Sequence, residues 1–184
     1  MGSIQSYQIE FIERTKDILT EDYHHFNDKD REVTFLMNCL LGLIVTVSEE
    51  ENRKLKVFKG KIDDNFICLV PKKIGFVKEI QEDLTDMSVT KLNVQVGHWD
   101  DLKREDKFWF LNKIRNAIAH QNIKGMNENE KWVGVSLYNE TNSKIKDFEI
   151  TFTIEELRTF ATKISEKYLN EKNLQQTEQL VMFP

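Results

Sequence analysis

Apolar residues recur every three or four positions over the first part of the chain, the spacing of amphipathic helices. This pattern predicts one helix over about residues 6–25 and a second over about residues 30–54, separated by turn and N-cap residues at 27–30. The second helix also carries apolar residues outside its main stripe. We therefore expect it to be the central helix of the domain or half of a dimer interface.

The middle of the chain has a less regular pattern. Residues 74–84 resemble a short helix, and residues 92–98 alternate only weakly, so we interpret them as a loop. Residues 125–130 are rich in Gly, Asn and Glu, which predicts another loop. The elements of this region are short, and the pattern gives only approximate boundaries for them.

The last third shows two kinds of periodicity in succession. Alternation over about residues 131–152, with a turn near 139–143, predicts a β-hairpin. Thr153 and Glu156 then have the spacing of a capping box, in which each side chain bonds a backbone amide at the start of a helix. A final helix is predicted from there, followed by a polar tail at residues 173–184.

Residues 107–120 read Lys-Phe-Trp-Phe-Leu-Asn-Lys-Ile-Arg-Asn-Ala-Ile-Ala-His, and they predict a helix with two distinct sides. At about 100° per residue, one arc is apolar and must face a core. That arc contains Phe110, Leu111, Ile114, Ala117 and Ile118. The opposite arc contains Trp109, Asn112, Lys113, Asn116 and His120, and Arg115 lies at its border, roughly 140° from His120.

Charge makes this helix stand out from the rest of the chain. The protein has 184 residues and a formal net charge of −5, which argues against nonspecific adhesion to nucleic acid or to an anionic membrane. However, residues 107–124 contain no Asp or Glu and carry Lys107, Lys113, Arg115 and Lys124. This local excess of positive charge points to a polyanionic ligand.

Other candidate sites give weaker signals. Cys39 and Cys68 lack metal-type spacing and are interpreted as buried free thiols. His24 and His25 have no evident third ligand, so charge at a helix C-terminus is the preferred interpretation over metal binding. The longest apolar run, residues 35–47, is too short to span a bilayer, and the N-terminus lacks a signal peptide pattern. These features predict a soluble, cytoplasmic protein without a membrane partner, metal or cofactor.

The chemistry of the central helix suits RNA. Arginine holds a phosphate through two parallel hydrogen bonds, and histidine can remove a proton from a ribose 2′-hydroxyl or deliver one to a leaving oxygen. Lys113 and Lys124 are candidates for binding RNA phosphates. Trp109 could stack a base, although an anchor in a dimer interface is the preferred role. A surface ion pair or helix cap is the alternative role for Arg115 and His120.

Residues 115–120, Arg-Asn-Ala-Ile-Ala-His, resemble the Arg-x4-6-His signature of the HEPN superfamily. The resemblance is greatest to small plasmid- and defence-associated bacterial members. It implies an all-α fold, a four-to-five helix bundle with the hairpin as an insertion, in one domain over residues 1–172. It also implies a metal-independent endoribonuclease that acts as a homodimer, with a toxin or antiphage role. Arg115 and His120 would be its catalytic pair, with Asn116 supporting them.

Two alternatives stay open at this point. The first is a catalytically silent HEPN-type module that binds RNA or nucleotide, or docks a nucleotidyltransferase-like antitoxin or another defence-system protein. The second is a helical interaction protein in which Arg115 and His120 are structural. The sequence does not distinguish between them, because a motif of two residues recurs by chance in many helices.

Overall fold

The computed structural model describes residues 4–27, 31–51, 58–67, 69, 73–76, 92–94, 102–140 and 146–182. Most of these residues are helical, and the remainder form mainly an antiparallel sheet. The helices are α1 (Ile4–Thr20), α2 (His24–Asn27), α3 (Glu32–Glu51), α4 (Asp64–Ile67), α5 (Lys107–Ala119) and α6 (Ile154–Met182). The strands are β1 (Lys73–Phe76), β2 (Leu92–Val94), β3 (Ile123–Glu128), β4 (Lys131–Glu140) and β5 (Lys146–Thr153).

Internal contacts divide the chain into two compact units. Unit 1 comprises residues 1–59 and 158–184, and unit 2 comprises residues 60–157. The last helix, α6, begins in unit 2 and continues in unit 1, and it extends into the predicted tail as far as Met182. The organisation of residues 1–172 as a single domain stays a prediction.

In unit 1, α1 packs against α3. A side chain on Gly42 of α3 would place its Cβ 2.9 Å from the ring of Phe11, so the missing side chain allows this aromatic ring to approach the helix closely. The Tyr23 hydroxyl donates a hydrogen bond to the Glu32 carboxylate, and the Arg158 guanidinium lies 4.5 Å from the centre of the Tyr23 ring. These contacts connect the start of α3 with α6 inside the unit.

The main apolar stripe of α3 is buried, as expected for a core helix. Its buried residues are Val33, Leu36, Met37, Leu40, Leu43, Ile44 and Val47. Cys39 is half-buried and has no disulfide partner among the described residues. Burial removes the thiolate from water and raises the pKa of Cys39 to about 11. The thiol is therefore protonated at neutral pH, which agrees with a structural role; Cys68 lies outside the described residues.

Unit 2 is built around a five-stranded antiparallel sheet with the order β2-β1-β5-β4-β3. Strands β3 and β4 are joined by a two-residue turn, Asn129-Glu130, in which both residues have positive φ values of 49° and 64°. Two consecutive residues with positive φ are typical of the tight turns that match the twist of a hairpin. The sheet places β3 at one edge and β2 at the other.

The sheet corrects the predicted all-α fold. The hairpin expected near residues 131–152 is present as β4 and β5, but it belongs to a larger sheet. Residues 125–128, predicted to be loop, belong to β3, and residues 74–76 and 92–94 are strands instead of helix and loop. These segments lack clear alternation, and they are strands because their backbones pair with distant residues, as Ile74 pairs with both Val94 and Ile150.

Local signals at the helix ends agree with the structure. The Thr153 amide donates to the Glu156 carboxylate at 2.8 Å, and the Glu156 amide donates to the Thr153 hydroxyl at 3.2 Å. This reciprocal pair is the predicted capping box, and α6 begins at the next residue. Within the described residues, none of the helices has the length and apolar character that crossing a membrane would require.

Substitution of Gly134 tests how closely β3, β4 and β5 pack. It pairs with Thr153 of β5 and Met126 of β3, and an added Cβ would collide with the Phe152 carbonyl oxygen and the Met126 side chain. The carbonyl belongs to the sheet and has little room to move. We expect Gly134→Ala to lower the free energy of unfolding by about 1–3 kcal/mol, measured by thermal unfolding with circular dichroism.

Gly42→Ala is the matched control for this substitution. Its Cβ meets only the end of the Phe11 side chain, and alanine favours a helix over glycine by up to about 1 kcal/mol. We expect this variant to unfold close to the wild-type temperature. A Gly134→Ala protein as stable as the wild type would contradict the close strand contact.

Candidate functional site

The candidate site is built on α5, whose apolar face is fixed by aromatic contacts inside unit 2. The ring of Phe110 meets Phe66 of α4 and Phe148 of β5 edge to face, at centroid distances of 5.5 Å and 5.8 Å. The five residues predicted for the core arc of α5 are all buried. The opposite side of the helix must therefore point away from this core, which confirms the predicted orientation.

A buried amide on β4 adds a polar contact to this packing. The Asn139 side chain is 7% exposed, and its Nδ2 donates a hydrogen bond to the backbone carbonyl oxygen of Lys113. Because a buried amide must find a partner, this bond favours one position of α5 on the sheet. Asn139 was predicted to lie in a turn and was not among the predicted site residues. The signal available was an Asn within an alternating apolar strand.

The N-terminus of α5 is held by residues 60–63. The Lys107 ammonium pairs with the Asp63 carboxylate, and the Lys107 amide donates to the Gly60 carbonyl at 3.1 Å. Asp63 also accepts the Phe66 amide at 2.8 Å, at the start of α4. Lys107 is only 8% exposed, so this cation of the basic segment serves the fold. It is not available to a ligand in this arrangement.

Arg115, Asn116 and His120 lie together at the C-terminal end of α5. Arg115 and His120 are exposed, and Arg115 Nη1 donates to Asn116 Oδ1 at 3.0 Å. The Asn116 backbone carbonyl accepts the His120 amide at 2.9 Å. Asn116 thus contacts the Arg115 side chain, while its bond to His120 is the backbone bond of the last helical turn.

This arrangement leaves donors available to an anion. An arginine has five N–H donors, and one is used by Asn116. Because the Asn116 side chain accepts through Oδ1, its Nδ2 group can donate a hydrogen bond to a ligand. Within the described part of the chain, the His120 imidazole makes no side-chain hydrogen bond or ion pair. The group therefore offers a planar cation, an amide donor and an accessible imidazole on one helix end.

The chain leaves α5 through a Schellman motif that fixes the position of His120. His120 is the C-cap residue, and Gln121 follows with a φ of 57°. The Gln121 amide donates to the Ile118 carbonyl at 3.1 Å, and the Asn122 amide donates to the Ala117 carbonyl at 2.9 Å. These two bonds define the motif, in which glycine normally occupies the position of Gln121. The sequence His120-Gln121-Asn122 gave no sign of this turn, because it contains no glycine.

Trp109 and Lys113 continue the polar side of α5 towards its N-terminus. The Trp109 ring packs edge to face on Phe148 at 5.9 Å, and the Lys113 ammonium lies 5.6 Å from the Trp109 ring centre. Trp109 is half-buried by these contacts. Base stacking on Trp109 would have to compete with a cation that already lies over the ring.

Lys124 is separated from the other candidate residues by the sheet. It pairs with Ser136, which bonds Glu149 and Thr151 on one face of the sheet. The residues that contact α5, Asn139 and Phe148, project from the other face. The structure therefore brings Lys113, Arg115, Asn116 and His120 onto one side and directs the Lys124 side chain to the opposite face.

The described histidines other than His120 lie in unit 1. His24 and His25 are exposed and adjacent, with ring centres 3.9 Å apart. Among the residues that the structure describes, no group of three or more His, Cys, Asp or Glu side chains is placed to hold a metal. His98 lies outside the described residues.

Comparison with known proteins gives one match. A family model described as HEPN pEK499 p136 matches residues 1–175. No curated protein and no solved structure matches the chain. The family match covers both units and includes the whole of α5.

The left-handed Gln121 yields a testable prediction. A side chain in this conformation costs about 1–2 kcal/mol, which glycine avoids at the expense of a more flexible unfolded chain. We expect Gln121→Gly to stabilise the protein by up to about 1 kcal/mol and Gln121→Val to destabilise it, in chemical or thermal unfolding. Asn122→Gly is the control, because Asn122 is not among the described residues with positive φ. A Val variant more stable than the Gly variant would rule out the Schellman geometry.

Proposed function

The chain belongs to the HEPN pEK499 p136 family, and from this premise we propose that it is a metal-independent endoribonuclease. One observation carries the proposal. Arg115 and His120, the two residues of the HEPN signature, are both exposed at the C-terminal end of α5, and the Arg115 side chain bonds the Asn116 side chain. An exposed cation and imidazole can stabilise charge on a phosphate and transfer protons, which are the two tasks in cleavage of RNA by its own 2′-hydroxyl.

In the proposed reaction, the ribose 2′-oxygen attacks the adjacent phosphorus and the bond from phosphorus to the 5′-oxygen breaks. Arg115 holds the phosphate and stabilises the charge that develops on it, with the Asn116 amide as a further donor. His120 transfers protons, taking one from the 2′-hydroxyl or giving one to the 5′-oxygen. The products are a 2′,3′-cyclic phosphate and a 5′-hydroxyl. DNA lacks the 2′-hydroxyl, so this chemistry selects RNA.

We propose that two copies of α5 form one composite site in a homodimer. The reaction needs one proton removed and another delivered, while α5 and its cap carry one histidine. A second copy would supply the second imidazole and a second arginine.

The biological role we propose is a toxin or antiphage ribonuclease. Its partners would be RNA and a nucleotidyltransferase-like antitoxin or another defence-system protein. Among the predicted RNA-binding residues, Lys113 lies on the site's side of α5. A role for Lys124 would require RNA to reach around the edge of the sheet, and Trp109 is the better candidate for a dimer contact.

One observation favours a second candidate, a catalytically silent module that docks RNA or a protein partner. Lys107 is paired with Asp63, and the Lys124 side chain points to the opposite face of the sheet. Fewer cations are thus presented beside Arg115 than the sequence of residues 107–124 indicates. A site with few cations can bind only a few phosphates. A surface that docks a partner without cleaving RNA would need no more than that.

Catalysis is tested by removing the two proposed reacting groups. We expect His120→Ala and Arg115→Ala each to lower RNA cleavage in EDTA by about 10²–10⁴-fold, the range for loss of a proton-transfer group or a charge-stabilising donor. The products of the wild-type protein should carry 2′,3′-cyclic phosphate, detectable by mass spectrometry.

Matched controls separate catalysis from general loss of charge. His25→Ala and Arg14→Ala remove an exposed histidine and an exposed arginine outside α5, and both should cleave RNA at the wild-type rate. Wild-type RNA cleavage by a folded His120→Ala protein would exclude the proposed reaction, in which His120 transfers the protons. Absence of cleavage by the wild type, with RNA still bound, would favour the silent module.

Assembly is tested by dilution. A composite site exists only in the dimer, so specific activity should fall as the protein is diluted below its dissociation constant. Analytical ultracentrifugation should show a dimer at micromolar concentration, and mixing Arg115→Ala with His120→Ala should restore part of the activity by combining intact residues from two chains. A monomer with full activity would contradict this proposal.

A further inference from the structure

Trp132, near the start of β4, has an unusual setting for a tryptophan. It is 46% exposed, and within the described residues of unit 2 it is the one exposed large apolar side chain. Its ring rests on Gly125 of β3: an added Cβ at Gly125 would lie 2.8 Å from Cη2 and Cζ3 of the ring and 3.2 Å from Cε3. The absence of a side chain at Gly125 therefore allows the six-membered ring to lie against the backbone. One part of the ring is thus supported, while nearly half of the residue is open to solvent.

The strand register places this ring on the same face of the sheet as α5. Gly125 pairs with Val135, and Val135 pairs with Phe152. Directly paired residues point to one face and alternate residues share it, so Gly125 and Val135 face the same way as Asn139 and Phe148. Those last two contact α5. Trp132 pairs with Asn127, two residues from Gly125, beyond a register shift between Met126 and Asn127. The shift interrupts the alternation along β4, so Trp132 shares the face of Gly125 and lies on the side of the sheet where the helix of Arg115 and His120 packs.

The ring is also close to the candidate site along the chain. Gly125 is five positions after His120, so their Cα atoms can be no more than about 18 Å apart. A single-stranded nucleic acid bound at His120 could reach this distance with a few nucleotides. Because β3 is the edge strand, the described part of the sheet has no further strand beyond it to block the approach.

Trp132 differs in this respect from Trp109, the tryptophan of the signature helix. Trp109 is half-buried between Phe148 and Lys113. A flat ligand needs an open aromatic face, and the ring of Trp132 has the larger exposed area of the two. The better stacking surface is therefore outside the motif.

We propose that Trp132 stacks an unpaired nucleobase of the RNA, a few nucleotides from the cleaved phosphate. This inference rests on the proposed function and extends its site to a second element of the fold. The turn beside Trp132 carries Glu128, Glu130 and Lys131, all exposed, so it contains charges of both signs. The contact would thus be made to a base and not to a phosphate. Base stacking on aromatic rings tolerates different sequences and selects single strands.

The surroundings favour a base over a protein partner. The residues that carry the energy of a protein interface lie within a patch of neighbouring contacts that exclude water. Around Trp132 the exposed neighbours Asn127, Glu128 and Lys131 are polar or charged. A single ring with a polar frame suits one flat base.

The experiment measures binding without cleavage. A fluorescein-labelled 2′-O-methyl oligoadenylate lacks the reacting hydroxyl, so fluorescence anisotropy can report its affinity for the wild-type protein. We expect Trp132→Ala to raise Kd about five- to 150-fold, which corresponds to the 1–3 kcal/mol of one stacked base. Trp132→Phe should retain most of the affinity. The dependence of Kd on salt should be the same in all three proteins, because no phosphate contact is lost.

Leu174→Ala is the matched control, since Leu174 is 62% exposed and lies on α6; its Kd should equal that of the wild type. If the wild type binds and Trp132→Ala binds equally well, the stacking inference fails and the nuclease proposal stands. If the wild type does not bind RNA at low salt, the proposed function fails first. If Trp132→Ala changes the sedimentation coefficient towards a smaller assembly, Trp132 is a contact between copies and the inference is overturned.

Discussion

The packing of α5 against one face of the sheet is the contact on which the candidate site depends. The buried arc of α5 meets Phe148 and other core residues, and the Asn139 amide holds a helix carbonyl. A helix advances about 100° per residue, so fixing one face determines the direction of every other side chain. The exposure of Arg115 and His120 is thus a consequence of burying Phe110, Leu111 and Ile114.

The end of α5 adds a second constraint. The Schellman motif terminates the helix at His120 and redirects the chain into β3 within three residues. The histidine is therefore at the boundary between a rigid helix and a paired strand, both of which hold its backbone. The motif uses Gln121 in a left-handed conformation, and that local strain must be balanced by the packing of the elements on either side.

Fewer of the cations in residues 107–124 lie on one surface than the sequence indicates. Lys107 is satisfied by Asp63 at the base of α5, and the Lys124 side chain projects from the other face of the sheet. Lys113, Arg115 and His120 are left on the solvent side of the helix. The positive charge that the sequence spreads over residues 107–124 is therefore presented from several directions, and only part of it lies on this side of α5.

The exposed Trp132 shows how two elements of unit 2, the helix α5 and the hairpin of β3 and β4, could bind one ligand. The signature residues lie on α5, while Trp132 lies on β4, a strand of the sheet against which α5 packs. The strand register, and not sequence proximity, places both on the same side. The proposed RNA site therefore combines a helix that supplies chemistry with a hairpin that supplies an aromatic surface.

The sequence by itself determined the features that depend on local periodicity. The positions of α1, α3, α5 and α6, the buried arc of α5 and the capping box at Thr153 follow from spacing along one segment, and the Arg115 to His120 motif identified the family. Only the tertiary structure decided the five-stranded sheet, the role of Asn139, the turn at Gln121 and the face on which Lys124 lies. The physical reason is that strand pairing and register join residues far apart in the chain. A short strand such as β1 has little preference of its own until its partners are in place.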